Sequence, residues 1–399
     1  MLKFWVLVVA ALAFSSCSRR GEISTVGEVD LFTLNYGNFE DELNVFDLAD
    51  AGEIDTHLVM RDGFFYIANG KSRKIIELNS YGDLLSLYYS ADSARNLDFA
   101  KTNEENATKK AVAYPFNTLG PLAVDGEKSL YAVDTLPPER FEKDEERRLL
   151  LSNVVLRFDL NGKFHDYIGQ QGPGGTPFPF VKNIYTTLSN ELVVVCKTND
   201  GLNVFWFARN GFLLYNVLIT SASIPKVEGE EDAHFSIESA IPDLNEHRLY
   251  LKIDYYEDVI DDDLKVLAGI EYAKTILFPL DVETGQYEDG LEIPGYERTF
   301  SDGAVSKDVS EVPFDFLGVT QNGWLFFIVP TDFGYLIQMV QPDGQSIVKR
   351  TLSIDHSKVL YHSLSLSAEG ILSGLFVRRE NALLSWWRTD LLLSSFNAN

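Results

Sequence analysis

The stretch Asp62–Tyr89, DGFFYIANGKSRKIIELNSYGDLLSLYY, decides the fold of this chain. It contains three short apolar runs separated by polar turns: Phe64–Ala68, Lys74–Leu78 and Leu84–Tyr89. Short runs rich in aromatic and β-branched residues, bounded by Asn, Gly and Asp, predict strands joined by hairpins. Gly82 stands in the last turn, where a hairpin can require positive φ. The stretch therefore predicts three consecutive antiparallel strands.

The same order of runs and turns recurs four more times. The later copies begin at KSLYAVDT (128–135), ELVVVCKT (191–198), HRLYLKIDYY (247–256) and GWLFFIVPT (323–331). Each copy closes on a turn glycine: Gly82, Gly162, Gly211, Gly285 and Gly344. In the first, third and fifth copies the second-strand core position precedes this glycine by nearly the same number of residues. Such regularity predicts a repeated four-stranded sheet.

Two strings in the second copy carry a family resemblance. LGPLAVDGEKSLYAVDT (119–135) and VVLRFDLNGKF (154–164) resemble the NHL-type repeat of β-propellers, and IANGKSRKIIELNSYGDLL (67–85) is a second match. Asn69 in the second match occupies the repeat position that Asp134 occupies in the first. We expect both side chains to cap their own turns. IGQQGPGGTPFPFVKNI (168–184) resembles the Gly-rich link between blades of bacterial six-bladed propellers. The resemblance covers residues 28 to 396 and implies an all-β propeller.

We predict six four-stranded blades in a single domain over residues 28–399. Their expected extents are 56–90, 117–168, 182–219, 233–293, 313–353 and 359–396. The last blade has three strands, and EVDLFTLNYG (28–37) is a strand without a sheet. Pairing the two would close the ring and protect both sheet edges. The alternative is a seventh, irregular blade that includes residues 38–48.

Insertions interrupt this pattern near residues 91–116, 137–151 and 255–273. The second begins with a proline pair that ends the strand and continues as a charged, helix-compatible stretch. Insertions at one position of a repeat fall on one face of the assembly. We therefore expect a single decorated face, with Arg140 and Phe141 as candidate partner contacts. Trp386 and Trp387 are further candidates, although the outward ring of this pair can instead pack against the next blade.

The first twenty residues, MLKFWVLVVAALAFSSCSRR, predict an export signal over residues 1–16. Lys3 precedes an apolar run that is too short to span a bilayer. Small residues followed by Cys17 resemble the bacterial lipobox, which implies a lipidated Cys17 and a tether over residues 17–27. Phe14 stands where most lipoboxes have Leu. We expect a lipid anchor at the periplasmic or outer-membrane face, and the alternative is a soluble secreted protein.

The formal net charge of the chain, −25 at pH 7, limits the classes of partner that it can bind. A nucleic-acid partner is excluded because phosphate binding needs a basic surface. Anionic lipid head groups are disfavoured for the same reason, so we expect membrane contact through the lipid only. Cys196, in the run LVVVCK, is interpreted as a small buried hydrophobe and not as a nucleophile. We expect a monomer that binds an unidentified envelope protein or ligand.

The search for catalytic motifs assigns no catalytic residue, cofactor or metal site. His57, His234 and His362 each lie near the start of a blade, where inner strands line the channel. Three converging imidazoles could hold a metal, but we favour the interpretation that they are polar groups near a solvated channel. The acidic cluster Glu257, Asp258 and Asp261–Asp263 is read as a solvated insertion. We favour a non-catalytic interaction platform, and the alternative is a propeller hydrolase or lyase with a metal in its central channel.

Overall fold

The computed structural model describes residues 23–45, 56–93, 109–227, 233–260, 265–301 and 307–394. The predicted signal, Cys17, Asp261–Asp263 and part of the insertion near 91–116 lie outside these ranges. Six sheets, each with four antiparallel strands at least, form a closed β-propeller, which confirms the predicted fold. The first strand, β1 (Glu28–Leu34), belongs to the last blade. No helix in the described ranges is long and apolar enough to cross a bilayer.

Blades 1 and 2 each carry one additional strand. Blade 1 consists of β2 (Thr56–Arg61), β3 (Phe64–Asn69), β4 (Lys74–Leu78) and β5 (Leu84–Tyr89), with β6 (Lys110–Ala113) parallel to β5. Blade 2 consists of β7 (Thr118–Val124), β8 (Leu130–Thr135), β11 (Asn153–Phe158), β12 (Phe164–Gly169) and β13 (Gly172–Pro173), with the hairpin β9 (Glu142–Asp144) and β10 (Leu149–Leu151) inserted after β8.

Blades 3 and 4 follow the four-stranded plan. Blade 3 consists of β14 (Val181–Thr186), β15 (Leu192–Thr198), β16 (Gly201–Phe207) and β17 (Leu213–Thr220). Blade 4 consists of β18 (His234–Pro242), β19 (Arg248–Ile260), β20 (Leu267–Asp281) and β21 (Leu291–Ile293). A hairpin of β22 (Tyr296–Ser301) and β23 (Lys307–Val312) leads to the next blade.

Blades 5 and 6 complete the ring. Blade 5 consists of β24 (Asp315–Val319), β25 (Leu325–Thr331), β26 (Gly334–Val340) and β27 (Ile347–Ser353). Blade 6 consists of β28 (Tyr361–Leu366), β29 (Leu372–Val377), β30 (Ala382–Trp387) and β1, followed by the short helix α1 (Asp390–Ser394). Single 3₁₀ turns lie at Gly70–Ser72, Ala91–Ser93, Pro138–Arg140 and His356–Lys358.

The apolar core is divided among the interfaces between blades. The described residues form six buried clusters, and each cluster combines side chains from two adjacent blades. One of them joins Phe65 of blade 1 to Leu384 of blade 6, so the interface between the chain's two ends is as apolar as the others. Leu43 and Val45 are buried in this same cluster. The seven-blade alternative is therefore wrong, because residues 38–45 cover an existing interface and add no sheet.

Successive strands run in opposite directions, so the connections divide between two faces. The first-to-second and third-to-fourth strand turns lie on one face, which we call the short-turn face. All five predicted closing glycines lie there, with φ between 70° and 88°. The second-to-third strand connections and the links between blades lie on the other, decorated face. It carries the β9–β10 hairpin, the long β19–β20 extension and the β22–β23 hairpin.

The insertion at 137–151 forms a β-hairpin and is not helical. After the turn at Pro138–Arg140, Leu149–Leu151 pairs with Glu142–Asp144, and Phe141 packs against the core between blades 1 and 2. The apolar run of three leucines favours a strand once a partner strand is adjacent. The charged residues before it therefore form a turn.

Candidate functional site at the central channel

A central cavity of about 250 Å³ is lined by all six inner strands and the turns that follow them. Its polar lining residues are His57, Arg61, Asn183, Tyr185, Thr186, Ser363, Ser365 and Ser367. Among the described residues the lining contains no Asp or Glu. His57 and Arg61, which can both carry a positive charge, therefore line a channel whose described wall has no acidic side chain. The protein as a whole is strongly acidic.

Two neighbouring inner strands are bulged where they approach the decorated face. The register shifts between Val181 and Asn183 in β14, and between Ile237 and Ser239 in β18. The extra residue in each strand is charged: Lys182 in blade 3 and Glu238 in blade 4. Bulges redirect side chains and are frequent beside active sites. Asp315 is the first residue of β24, the inner strand of blade 5. We use the name charged mouth for Lys182, Glu238 and Asp315 together.

Contacts and electrostatics connect the members of the charged mouth. Nζ of Lys182 donates a hydrogen bond to the backbone oxygen of Glu238 across the blade boundary. Lys182 keeps part of its surface in solvent, and burial of the remainder lowers its pKa, whereas the charges of Glu238 and Asp315 raise it. The net direction is downward. Groups from three blades therefore act on one amine.

A buried polar chain lies behind the charged mouth in blade 4. Nζ of Lys252 donates to Oδ2 of Asp254 at 2.5 Å, and both side chains are almost fully buried. The Thr275 hydroxyl donates to Oδ1 of Asp254 at 2.5 Å, and the Tyr272 hydroxyl donates to Thr275 at 3.0 Å. Each buried charge thus has a partner, as burial requires.

The predicted histidines take three different positions. His57 lies on β2 in the channel wall. The Tyr335 hydroxyl of blade 5 lies 3.2 Å from both ring nitrogens of His362. His234 is exposed, and its Nε2 lies 3.0 Å from Asp258 on the β19–β20 extension. His234 and His362 therefore have partners away from the channel wall. Across the described ranges, no three His, Cys, Asp or Glu residues are arranged to hold a metal ion.

The predicted partner residues also differ from one another. Arg140 is exposed, whereas Phe141 is half-buried. Trp387 is 0% exposed in the interface between blades 5 and 6, and Trp386 packs against the cluster between blades 6 and 1. Trp387 is therefore not a surface residue, because ring closure places it between two sheets. Trp386 and Phe141 contribute mainly to packing.

Sequence reasoning missed the charged mouth. Lys182, Glu238 and Asp315 are the single Lys, Asp or Glu residues of their inner strands, and this was the signal that the sequence offered. The bulges that align them depend on pairing with the second strand of each blade. The expectation that Asn69 and Asp134 cap their own turns is also wrong. They hold the chain entering their blade: Asn69 accepts from the Asn44 amide at 2.8 Å, and Asp134 from Thr118 at 2.7 Å.

No protein-family model and no curated protein matches this chain. Several solved propeller-like structures are similar to it at low identity. A gluconolactonase from Xanthomonas campestris is 12% identical, with 81% of this chain and 82% of that chain covered and a TM-score of 0.39. The polysaccharide lyase Uly1 is 8% identical, with 92% and 99% covered and a TM-score of 0.42. Regucalcin, a calcium-binding protein from Agrobacterium tumefaciens, is 11% identical, with 84% and 90% covered and a TM-score of 0.40. These values are too low to carry an argument about function, and the fold assignment depends on the sheets and clusters above.

Proposed function

We propose that this chain is an exported bacterial envelope lipoprotein whose NHL-like propeller serves as a non-catalytic binding platform. Its partner is a protein or ligand bound at the decorated face. One observation carries the proposal: the long hairpins all project from this face, around the charged mouth, whereas the short-turn face carries compact turns. Binding residues are concentrated on loops that a rigid scaffold positions.

The β19–β20 extension is the most prominent part of this platform. Beyond its pairing with β18, it exposes the apolar side chains of Val259, Ile260, Leu267 and Ile270. Exposed apolar clusters are typical of interaction sites. Carboxylates at Glu257, Asp258 and Glu271 flank them. A partner with an apolar groove and a basic rim would match this surface.

Site-specific photocrosslinking in the native envelope tests the platform. A photoreactive residue at Ile260 or Arg140 should crosslink one specific, saturable partner. The same residue at Tyr81, which is exposed on the short-turn face, is the matched control and should give no such product. Equal crosslinking from both faces would contradict a platform on the decorated face.

The anchor requires a separate test. Ile23 is the sixth residue after Cys17, so a lipid on Cys17 would hold the membrane within about 20 Å of Ile23 at full extension. The segment after Ile23 runs along the outer edge of blade 5, where the Val26 amide donates to the Thr351 oxygen at 2.9 Å. Labelled palmitate should be incorporated by the native chain and not by Cys17→Ser, which should leave the membrane fraction. Incorporation by Cys17→Ser would contradict lipidation of Cys17.

A propeller hydrolase or lyase with a metal in the central channel is the second candidate. The charged mouth supports its catalytic part, because acid–base catalysis uses charged groups converging from different elements, and a lysine with a lowered pKa is a suitable base. The described channel lining has His57 as its only His, Cys, Asp or Glu side chain and does not by itself fit a metal. The measurement is the metal content of protein purified without chelators. Stoichiometric calcium or zinc, removed by chelation with loss of channel order, would favour the enzyme over the platform. Metal-free protein would count against this candidate.

A further inference from the structure

The guanidinium of Arg61 makes no hydrogen bond to any residue in the described ranges. Its Nε is buried without a partner, and the carboxylate oxygen of Asp62 is 3.9 Å away, beyond hydrogen-bonding distance. The side chain is only 17% exposed. Arg157, by contrast, donates to both carboxylate oxygens of Asp166, at 2.7 and 2.6 Å. Apart from this long ion pair with Asp62, Arg61 has no carboxylate partner among the described residues, although the protein has excess carboxylates.

Arg61 of blade 1 lies against the β7–β8 turn of blade 2. It is the last residue of β2 and lines the cavity at its short-turn end. A Cβ placed on Gly126, in the β7–β8 turn, would lie 3.2 Å from Nη2 of Arg61 and 3.0 Å from Oδ1 of Asn190. The Gly126 amide donates to that same oxygen of Asn190 at 2.8 Å. The β7–β8 turn of blade 2, which Asn190 of blade 3 holds through this hydrogen bond, thus packs against the guanidinium and limits its freedom to swing into solvent.

The rest of the cavity wall suits an anion. Ser363 and Ser365 of β28 line the cavity, and their hydroxyl oxygens accept from the amides of Leu58 and Met60, both at 3.0 Å. Each hydroxyl proton remains available for donation to a third group. The described lining contains no carboxylate that would repel a negative ligand.

We propose that the short-turn end of the central channel binds a small anion, a carboxylate or a phosphate, with Arg61 as its charged ligand. A guanidinium matches both groups through paired N–H donors. Burying a cation whose N–H donors lack hydrogen-bond acceptors is unfavourable, and a bound anion would offset that unfavourable term. A cavity of about 250 Å³ admits a molecule of metabolite size and not a polymer. The site is separate from the charged mouth and does not depend on the platform.

Isothermal titration of the full folded domain with inorganic phosphate and, separately, with succinate tests this site. At least one of these anions should bind with one-to-one stoichiometry, and the tighter one identifies the ligand class. Arg61→Gln should weaken that affinity at least tenfold, and Arg61→Lys should weaken it less. Arg209→Gln is the matched control, because Arg209 is an exposed short-turn arginine paired with Glu127, and it should bind like the native protein.

A second variant distinguishes a loss of anion binding from misfolding of Arg61→Gln. Gly126→Ala places a methyl group against Nη2 without removing the charge, and it should also weaken binding. The proposal is overturned if neither anion binds the native protein, or if Arg61→Gln and Gly126→Ala both bind as tightly as Arg209→Gln.

Discussion

Glu28 lies directly opposite Trp387, so the first strand and the last strand of the propeller share one antiparallel sheet. The pairing continues to Leu34 opposite Ala382. Asp30 adds a side-chain bond, accepting from the Ser385 hydroxyl at 2.8 Å. The ring is therefore closed by strand pairing between distant parts of the chain. Its stability depends on a contact that forms only when both ends are present.

Weakening β1 should destabilise the whole propeller. Leu34 is 4% exposed in the cluster between blades 6 and 1, and truncating a buried leucine costs about 2–5 kcal/mol. We expect Leu34→Ala to lower the free energy of unfolding by that amount in urea denaturation. Val29→Ala, on the exposed side of the same strand, should change it by less than about 0.5 kcal/mol. Equal effects would show that β1 does not close the ring.

The ring could be predicted from sequence because its signals are local. Turn glycines such as Gly82 and alternating apolar runs specify hairpins, and their repetition specifies blades. The strand at 28–37 had no sheet and the last blade had only three strands, so pairing between them was predicted. The Trp386–Trp387 pair was harder to place, because sequence alternation gives the two sides of a strand but not which side another sheet covers.

The charged mouth depends on contacts between blades, which have no local signature. Lys182 and Glu238 converge because both inner strands bulge at the same level. The position of Arg61 likewise became visible only when the turn at Gly126 was placed beside it. Asp134 was misread for a similar reason: its hydrogen-bond partners, the amides of residues 117 and 118, precede it by a strand and a turn.

The ionisation of Asp134 should make the free energy of unfolding depend on pH in the acidic range. Burial raises its pKa to about 6, against the lowering effect of the Asn117 and Thr118 amides. Because the folded state binds the proton more tightly than the unfolded state, stability falls as pH rises from about 4 to 6. Asp134→Asn, which resembles Asn69 in blade 1, should therefore gain about 2–3 kcal/mol relative to the native protein between pH 4 and 7.

Urea denaturation across this pH range measures the effect. Asp134→Ala is the control, since it removes the acceptor together with the titrating carboxyl and should be less stable than Asp134→Asn by about 1–3 kcal/mol at every pH. A constant difference between Asp134→Asn and the native protein would mean that the carboxyl is not perturbed by burial.

The Lys252–Asp254 pair should be sensitive to the loss of one partner. Both groups are almost fully buried, so Lys252→Met leaves an uncompensated carboxylate and should cost about 3–5 kcal/mol in chemical denaturation. Replacing both, with Lys252→Met and Asp254→Leu, should recover at least half of this loss. The exposed pair of Arg209 and Glu127 is the control, and Arg209→Met should cost less than about 1 kcal/mol. A double variant no better than the single one would show that the charges are not coupled.

His247 should make the boundary between blades 3 and 4 weaken at alkaline pH. Its Nδ1 lies 2.8 Å from Glu283 and its Nε2 3.1 Å from Glu191. Partial burial lowers the His247 pKa, but the hydrogen bonds and charges of the two carboxylates outweigh it, and the net pKa is raised. The Tyr215 hydroxyl, 3.5 Å from Nδ1, is the other titratable group in contact with the ring.

The sign of the effect follows from the direction of this shift. Because the folded state holds the proton more tightly, the stabilisation is complete below the ordinary histidine pKa of about 6.5 and is lost as pH rises through the folded value. The stability difference between the native protein and His247→Gln should therefore be larger at pH 6 than at pH 9. Trp206 packs edge-on against the imidazole, so its fluorescence should report the same titration. His165→Gln, at an exposed histidine, is the control, and a native–His247→Gln difference that grows with pH would contradict the carboxylate pairing.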